Sequence, residues 1–167
     1  MRSRNRTISL AVALAGAVIA LAGCGGGSAT LSKADFIRQA DAICAATTAK
    51  VNALPQLGSS ATTSQVVASV QQALAVVDPA LNQLAALHAA PADFAVLNKN
   101  LLIPTRGQDQ AAHTLITQMQ QDSGNTAAQQ TAIEKFSAAA SNPDQTTQDN
   151  ALAAFGFAAC SKTNQSS

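Results

Sequence analysis

Tryptophan and tyrosine are absent from this chain, and phenylalanine occurs only five times in 167 residues. Single-stranded nucleic acids stack on aromatic platforms, and this sequence has too few rings to build one. Charge excludes a nucleic-acid partner further. Ten Lys and Arg stand against nine Asp and Glu, and charged residues make up only 11% of the chain. That leaves no basic stripe to neutralise phosphates. The patterns of common catalytic chemistry are also missing. There is no G-x-S-x-G, no supported S-x-x-K, no P-loop, no H-E-x-x-H and no C-x-x-C. The chain is read as not an enzyme, and no cofactor or metal is expected.

What is present begins at the N-terminus. Arg2, Arg4 and Arg6 precede an uncharged run of 15 residues, Ile8 to Ala22. A spanning helix needs about 20 apolar residues. A basic start, a short apolar stretch and small residues at its end describe a secretory signal peptide over 1–23. "LAGC", residues 21–24, resembles the bacterial lipobox. The resemblance implies that Leu21, Ala22 and Gly23 are recognised by a dedicated signal peptidase. It further implies that Cys24 receives a diacylglyceryl group and becomes the first residue. Each buried methylene contributes about 0.8 kcal/mol, so two or three acyl chains hold a protein durably on a membrane. The expected location is the outer face of the plasma membrane. "GGGSATL", residues 25–31, completes a flexible tether over 24–31.

Removing 23 residues leaves 144, enough for one domain. The mature part has seven basic and nine acidic residues, a net charge near −2. It is crowded with Ala, Gln, Thr, Asn and Ser, and its large apolar residues are thinly spaced. Alanine favours helix but buries little area. Such a bundle needs reinforcement. With Cys24 lipidated, Cys44 and Cys160 remain, and outside the membrane that pair reads as a disulfide. In the chain-entropy model, closing a loop near 100 residues contributes about 4–5 kcal/mol.

Period-two alternation persists nowhere, whereas helical spacing recurs. The first helix is predicted from Ser32, with Asp35 in its capping turn and Phe36, Ala40, Cys44, Thr47 and Val51 on one face. Pro55 and Gly58 end it. The second runs from about Ser64 to His88, with Val70, Leu74, Val77, Leu81 and Leu84 inward and a kink at Asp78-Pro79. The third begins at Pro91 and points Phe94, Leu97, Leu101, Ala112, Leu115 and Met119 inward. "IPTRG", residues 103–107, should bend or break it. The fourth starts near Thr126, with Ile133, Phe136 and Ala140 inward. "SNPD", residues 141–144, is a turn or cap, with Pro143 at a first helical position. A last segment carries Leu152, Phe155 and Cys160. Short connections favour antiparallel neighbours. The expected fold is all-α, an up-and-down four-helix bundle over 32–160 with kinked helices, closed by the disulfide, and a loose tail over 161–167.

"FIRQADAIC" (residues 36–44) and "GFAAC" (residues 156–160) resemble the two ends of a group of uncharacterised actinobacterial exported helical proteins. Those carry F-[IV]-x-x-A-[DN]-x-[IV]-C after the leader and G-[LF]-x-x-C near the C-terminus. The resemblance covers both ends of the mature chain and not its middle. It implies an all-helical fold and a disulfide, and no activity.

Candidate chemical groups are few. His88 and His113 would lie roughly 30 Å apart in an antiparallel pair, at 1.5 Å per residue. Met119 and His113, six positions apart, do not share adjacent turns as haem ligands would. Asp35 and Asp41 diverge on one helix, and Asp41 is placed at the rim of the apolar face. Glu134 and Lys135 form a solvated face, and Arg106 is an exposed loop arginine. The expected function is a lipid-anchored helical module acting by interaction with an envelope protein. The alternative is a carrier or sensor of a small apolar ligand, using a cavity between helices near Pro79 and Pro104. Replacing Cys24 with Ala should abolish fatty-acid labelling and release the protein from the membrane fraction. Acyl labelling that persists in this variant would refute the lipobox assignment.

Overall fold

Ser32 stops the incoming chain and starts the first helix. In the computed structural model, which describes residues 29–58 and 61–162, its hydroxyl accepts from the Asp35 N–H at 3.1 Å and donates to Asp35 Oδ2 at 2.7 Å. That pair satisfies a backbone donor the helix itself cannot. Leu21, Ala22, Gly23, Cys24 and residues 163–167 lie outside the described residues.

Helix α1 spans Lys33–Asn52, and α2 spans Thr63–Ala85. A capping box of Thr62 and Gln65 opens α2. Pro79 sits inside α2, which continues through it as one helix. The third helix is one continuous rod in three parts: α3 (Pro91–Leu97), a π turn (Asn98–Leu102) and α4 (Ile103–Gln121). "IPTRG" therefore does not break it. Pro104 has no N–H to donate, and the turn before it has widened so that the Ile103 N–H reaches the Asn98 carbonyl. This π turn keeps the helix hydrogen-bonded up to the proline. Helices α5 (Thr126–Ala140) and α6 (Gln145–Phe155) complete the series, with a short 3₁₀ turn at Cys160–Lys162. Pro143 lies in the turn before α6 and not inside it.

The arrangement is a four-helix bundle in which the fourth position is shared. The Leu31 N–H donates to the His88 carbonyl at 2.6 Å, tying the start of α1 to the end of α2. The two helices are therefore antiparallel. The α3–α4 rod returns along α2. Helix α5 packs on α4, and α6 packs on α3 and the π turn. One half of the fourth position is thus α5 and the other α6, divided at Ser141–Asp144. No helix among the described residues is long and apolar enough to cross a membrane.

The core is uneven. At the α6 end, Phe36 is fully buried and meets Phe157 edge-on at 5.7 Å and Phe94 at 6.5 Å. Phe155 stacks on Phe157 at 5.2 Å, and the Lys33 ammonium lies 4.0 Å over the Phe155 ring. Four of the five phenylalanines thus gather in one cluster. Full burial of each such side chain contributes about 1.5–3 kcal/mol. At the α5 end the core is lighter, built on Leu74, Ala112, Leu115, Ile116, Met119 and Ala132.

The C-terminal turn closes the heavy end. The Phe157 N–H reaches the Leu152 carbonyl at 3.0 Å and the Gly156 N–H reaches Ala153, a Schellman pair. Gly156 has φ +119°, a left-handed conformation that favours glycine, and a Cβ there would press on Ile37 Cδ1 at 3.1 Å. The chain then presents three consecutive N–H groups to one carboxylate. Asp41 accepts from Ala158 at 2.8 Å, Ala159 at 2.9 Å and Cys160 at 3.0 Å. Asp41 is therefore a tertiary clasp and not the idle rim residue the sequence suggested. The Cys44–Cys160 disulfide is formed beside it, with an S–S distance of 2.08 Å. Ser161 is buried in the short turn that follows.

Replacing Asp41 with Ala leaves three backbone donors without their acceptor. The expected cost is about 1.5–3 kcal/mol of unfolding free energy with the disulfide intact. A denaturant titration reads it, and an unchanged midpoint would mean that the disulfide alone holds the turn.

Candidate functional site

Helices in contact sit about 8–10 Å apart, and small side chains facing inward leave the space between them unfilled. Ala73 and Ala80 on α2, Ala112 on α4 and Ala140 on α5 face one such space. It is widened by an open edge. Helix α1 packs on α2 and on the C-terminal turn, α5 packs on α4, and α1 and α5 do not close on each other. The result is an open-sided cleft of about 470 Å³ between α1, α2, α4 and α5. Ligand pockets typically measure about 300–1,000 Å³.

The walls are mostly apolar. Val70, Leu74, Val77, Leu81 and Leu84 supply one side from α2, and Phe136 faces it from α5. Polar groups come from Thr47, Thr48 and Asn52 on α1 and Thr105 and Gln108 on α4. Several are already engaged. The Thr47 hydroxyl donates to the Ile43 carbonyl at 2.8 Å, and the Gln108 amide donates to the last carbonyl of α5, Ala140, at 3.0 Å. Among the described residues, Asp109 is the charged residue of the lining, which includes no lysine or arginine.

Asp109 belongs to a cluster on the α2–α4 seam. His113, one turn further along α4, has its Nε2 4.0 Å from Asp109 Oδ2 and 3.6 Å from Asp78 Oδ2. The His113 side chain is 56% exposed and that of Asp109 only 20%. Oδ1 of Asp78 and Oδ1 of Asp109 are both buried without a hydrogen-bond donor. Burial pushes the Asp109 carboxyl up to about 6, the neighbouring Asp78 carboxylate adds to the rise, and His113 opposes it. Two carboxylates and an imidazole within 4.8 Å of one another are also a ligand set that a divalent ion accepts.

The sequence reading weighed His113 against His88 and Met119. The structure sends them to three places: His88 is exposed after α2, Met119 is buried in the lighter core, and His113 stands on the seam. Glu134, Lys135 and Arg106 are exposed, Arg106 on α4 and not in a loop. Asp35 is held below the usual carboxylate range by the Ser32 hydroxyl and then by Arg38. Asp78 stands out in the sequence only as the residue before Pro79, at the expected kink of the second helix. The Asp109–His113 spacing of four was visible in the sequence, but the approach of Asp78 depends on the register of α2 against α4. No known protein family, curated protein or solved structure matches the chain.

Asp109 binds its proton more readily in the folded protein than in the unfolded chain, where its pKa is about 3.9. Its contribution to stability is therefore full below about pH 4 and is lost as pH rises through about 6. Asp109→Asn, which is neutral throughout, should match wild type near pH 3.5 and exceed it at pH 7.5. Urea titrations at both values check this, and a constant difference between the two proteins would contradict it.

Proposed function

We propose that the chain is a lipid-anchored protein of the outer plasma-membrane face whose helical bundle carries or senses a small, mostly apolar ligand. The observation that carries the reading is the cleft of about 470 Å³ between α1, α2, α4 and α5. Its volume, apolar walls and few polar groups match what small-ligand sites require. The anchor rests on the resemblance of "LAGC" to a lipobox, with acyl chains on Cys24 as the membrane contact. The cleft lies between residues that a tightly packed bundle would fill with leucine, which favours a ligand over a purely mechanical role.

A module acting on an envelope protein is the other reading. The large apolar side chains exposed among the described residues are Leu57 and Ile103, on different elements. Single exposed hydrophobics of this kind need no partner to explain them. The ligand reading is therefore preferred.

Ala73 lines the cleft and is half-buried, so a larger side chain there can fill the space without displacing a sealed core. Native mass spectrometry of the protein recovered from its host membranes in lipid nanodiscs is the test. A reproducible non-covalent adduct on wild type that is missing from Ala73→Phe is the expected result. A bare wild-type protein, or an adduct that Ala73→Phe retains, would remove the cleft from consideration.

A further inference from the structure

The cleft's polarity is one-sided. A ligand site for fatty acids or other anions places a cation at the polar end of its apolar channel. Among the described residues, the one ionisable side chain of the lining is an acid, Asp109, and a second carboxylate, Asp78, stands behind it across the α2–α4 seam. Their counterpart among the described residues is the half-exposed imidazole of His113. Neither buried Oδ1 has a donor. The other elements around the cleft bring no charge to compensate. Helix α1 contributes Thr47, Thr48 and Asn52, the π turn contributes Leu101, and α5 contributes Phe136 and Ala140. Two carboxylates that share a single half-exposed imidazole favour whatever supplies a further positive charge and N–H donors.

We infer that the ligand is an amphipathic amine: an apolar body lying along Val70, Leu74 and Phe136, with a protonated nitrogen directed at Asp109 and backed by Asp78. This inference rests on the ligand reading of the cleft and names the chemical class that fills it. An alkyl chain or ring system would replace water along the α2 wall. The ammonium would meet the Asp109 carboxylate where it lines the cleft, with the Asp78 carboxylate adding its charge from across the seam. An anionic ligand of the same shape would meet like charge in a partly desolvated wall, where repulsion is strongest.

Three probes of equal chain length separate the possibilities: octylammonium, octanol and octanoate. Each is titrated against the full protein in nanodiscs at pH 7.5, with Ala73→Phe as the background. The expected order is ammonium first, about tenfold tighter than the alcohol, with the carboxylate weakest. In Asp109→Asn the ammonium-to-alcohol ratio should fall towards one, and in Asp78→Asn it should fall part of the way. Lowering the pH to 5 protonates Asp109 and should shrink the ratio in wild type. Alcohol binding with no preference for the ammonium, or with a preference for the carboxylate, overturns the amine while leaving the cleft as an apolar site. Binding of none of the three above background overturns the cleft reading itself. A ratio that survives in Asp109→Asn shows that the charge lies elsewhere, and the inference fails.

Discussion

The attachment of the C-terminal turn to α1 is the constraint on which the rest of the bundle depends. Cys160 is bonded to Cys44, and Asp41, one helical turn earlier, holds the N–H groups of Ala158, Ala159 and Cys160. The two devices act on different states. The disulfide restricts the unfolded chain across a separation of 116 residues, and in the entropy model that contributes about 4–5 kcal/mol. The Asp41 clasp acts on the folded state, because it supplies an acceptor to the N–H groups that open the 3₁₀ turn after α6, which have no carbonyl of that turn to bond. Together they bring Phe157 under Phe36, and the aromatic cluster forms around that contact.

A chain with five phenylalanines and abundant alanine cannot fill a bundle of this length evenly. It concentrates its large side chains where the covalent link already holds the helices together. The opposite half is built on Ala112, Ala132 and isolated Leu and Ile residues, and there α1 and α5 stay apart. An open cleft costs buried area, at about 25 cal/mol per Å² of apolar surface left wet. That cost is tolerable here because the other end carries much of the stability. The cleft is thus a consequence of where the cysteines and phenylalanines sit, as much as of the alanines that line it.

Periodicity and caps were legible because they are local. Ser32 with Asp35, the inward faces of the first three helices and the pairing of Cys44 with Cys160 all follow from residue type and spacing. What escaped was tertiary. Asp41 looked like a rim residue because its partners lie 117 to 119 positions away and are backbone groups, which carry no residue signature. "IPTRG" read as a break because proline usually ends a helix, and the π turn that accommodates Pro104 has no sequence mark of its own. The Asp78–Asp109–His113 cluster needed the register between α2 and α4. The cavity between helices was anticipated at Pro79 and Pro104, and the lining does include their neighbours Ala80 and Thr105. Its larger cause, the unclosed edge between α1 and α5, arises from packing that no single segment encodes.

The direction of the chain relates the cleft to the proposed anchor. Leu31 is bound to His88, at the end of the bundle that holds Phe36 and the disulfide. Cys24 is seven residues earlier, so at most about 3.6 Å per residue limits its reach from Leu31 to roughly 25 Å. The acyl group would therefore tether the heavy end. Thr47 and Val51, which border the cleft, lie on the half of α1 that runs away from that end, while Cys44, Leu81 and Leu84 of the heavy core form its inner limit. Bound by Cys24, the bundle would keep its stable end towards the bilayer and its open edge accessible from the envelope side or along the membrane surface. A carrier of an amphipathic molecule needs that division: one end held in place, and a separate face where the ligand enters and leaves.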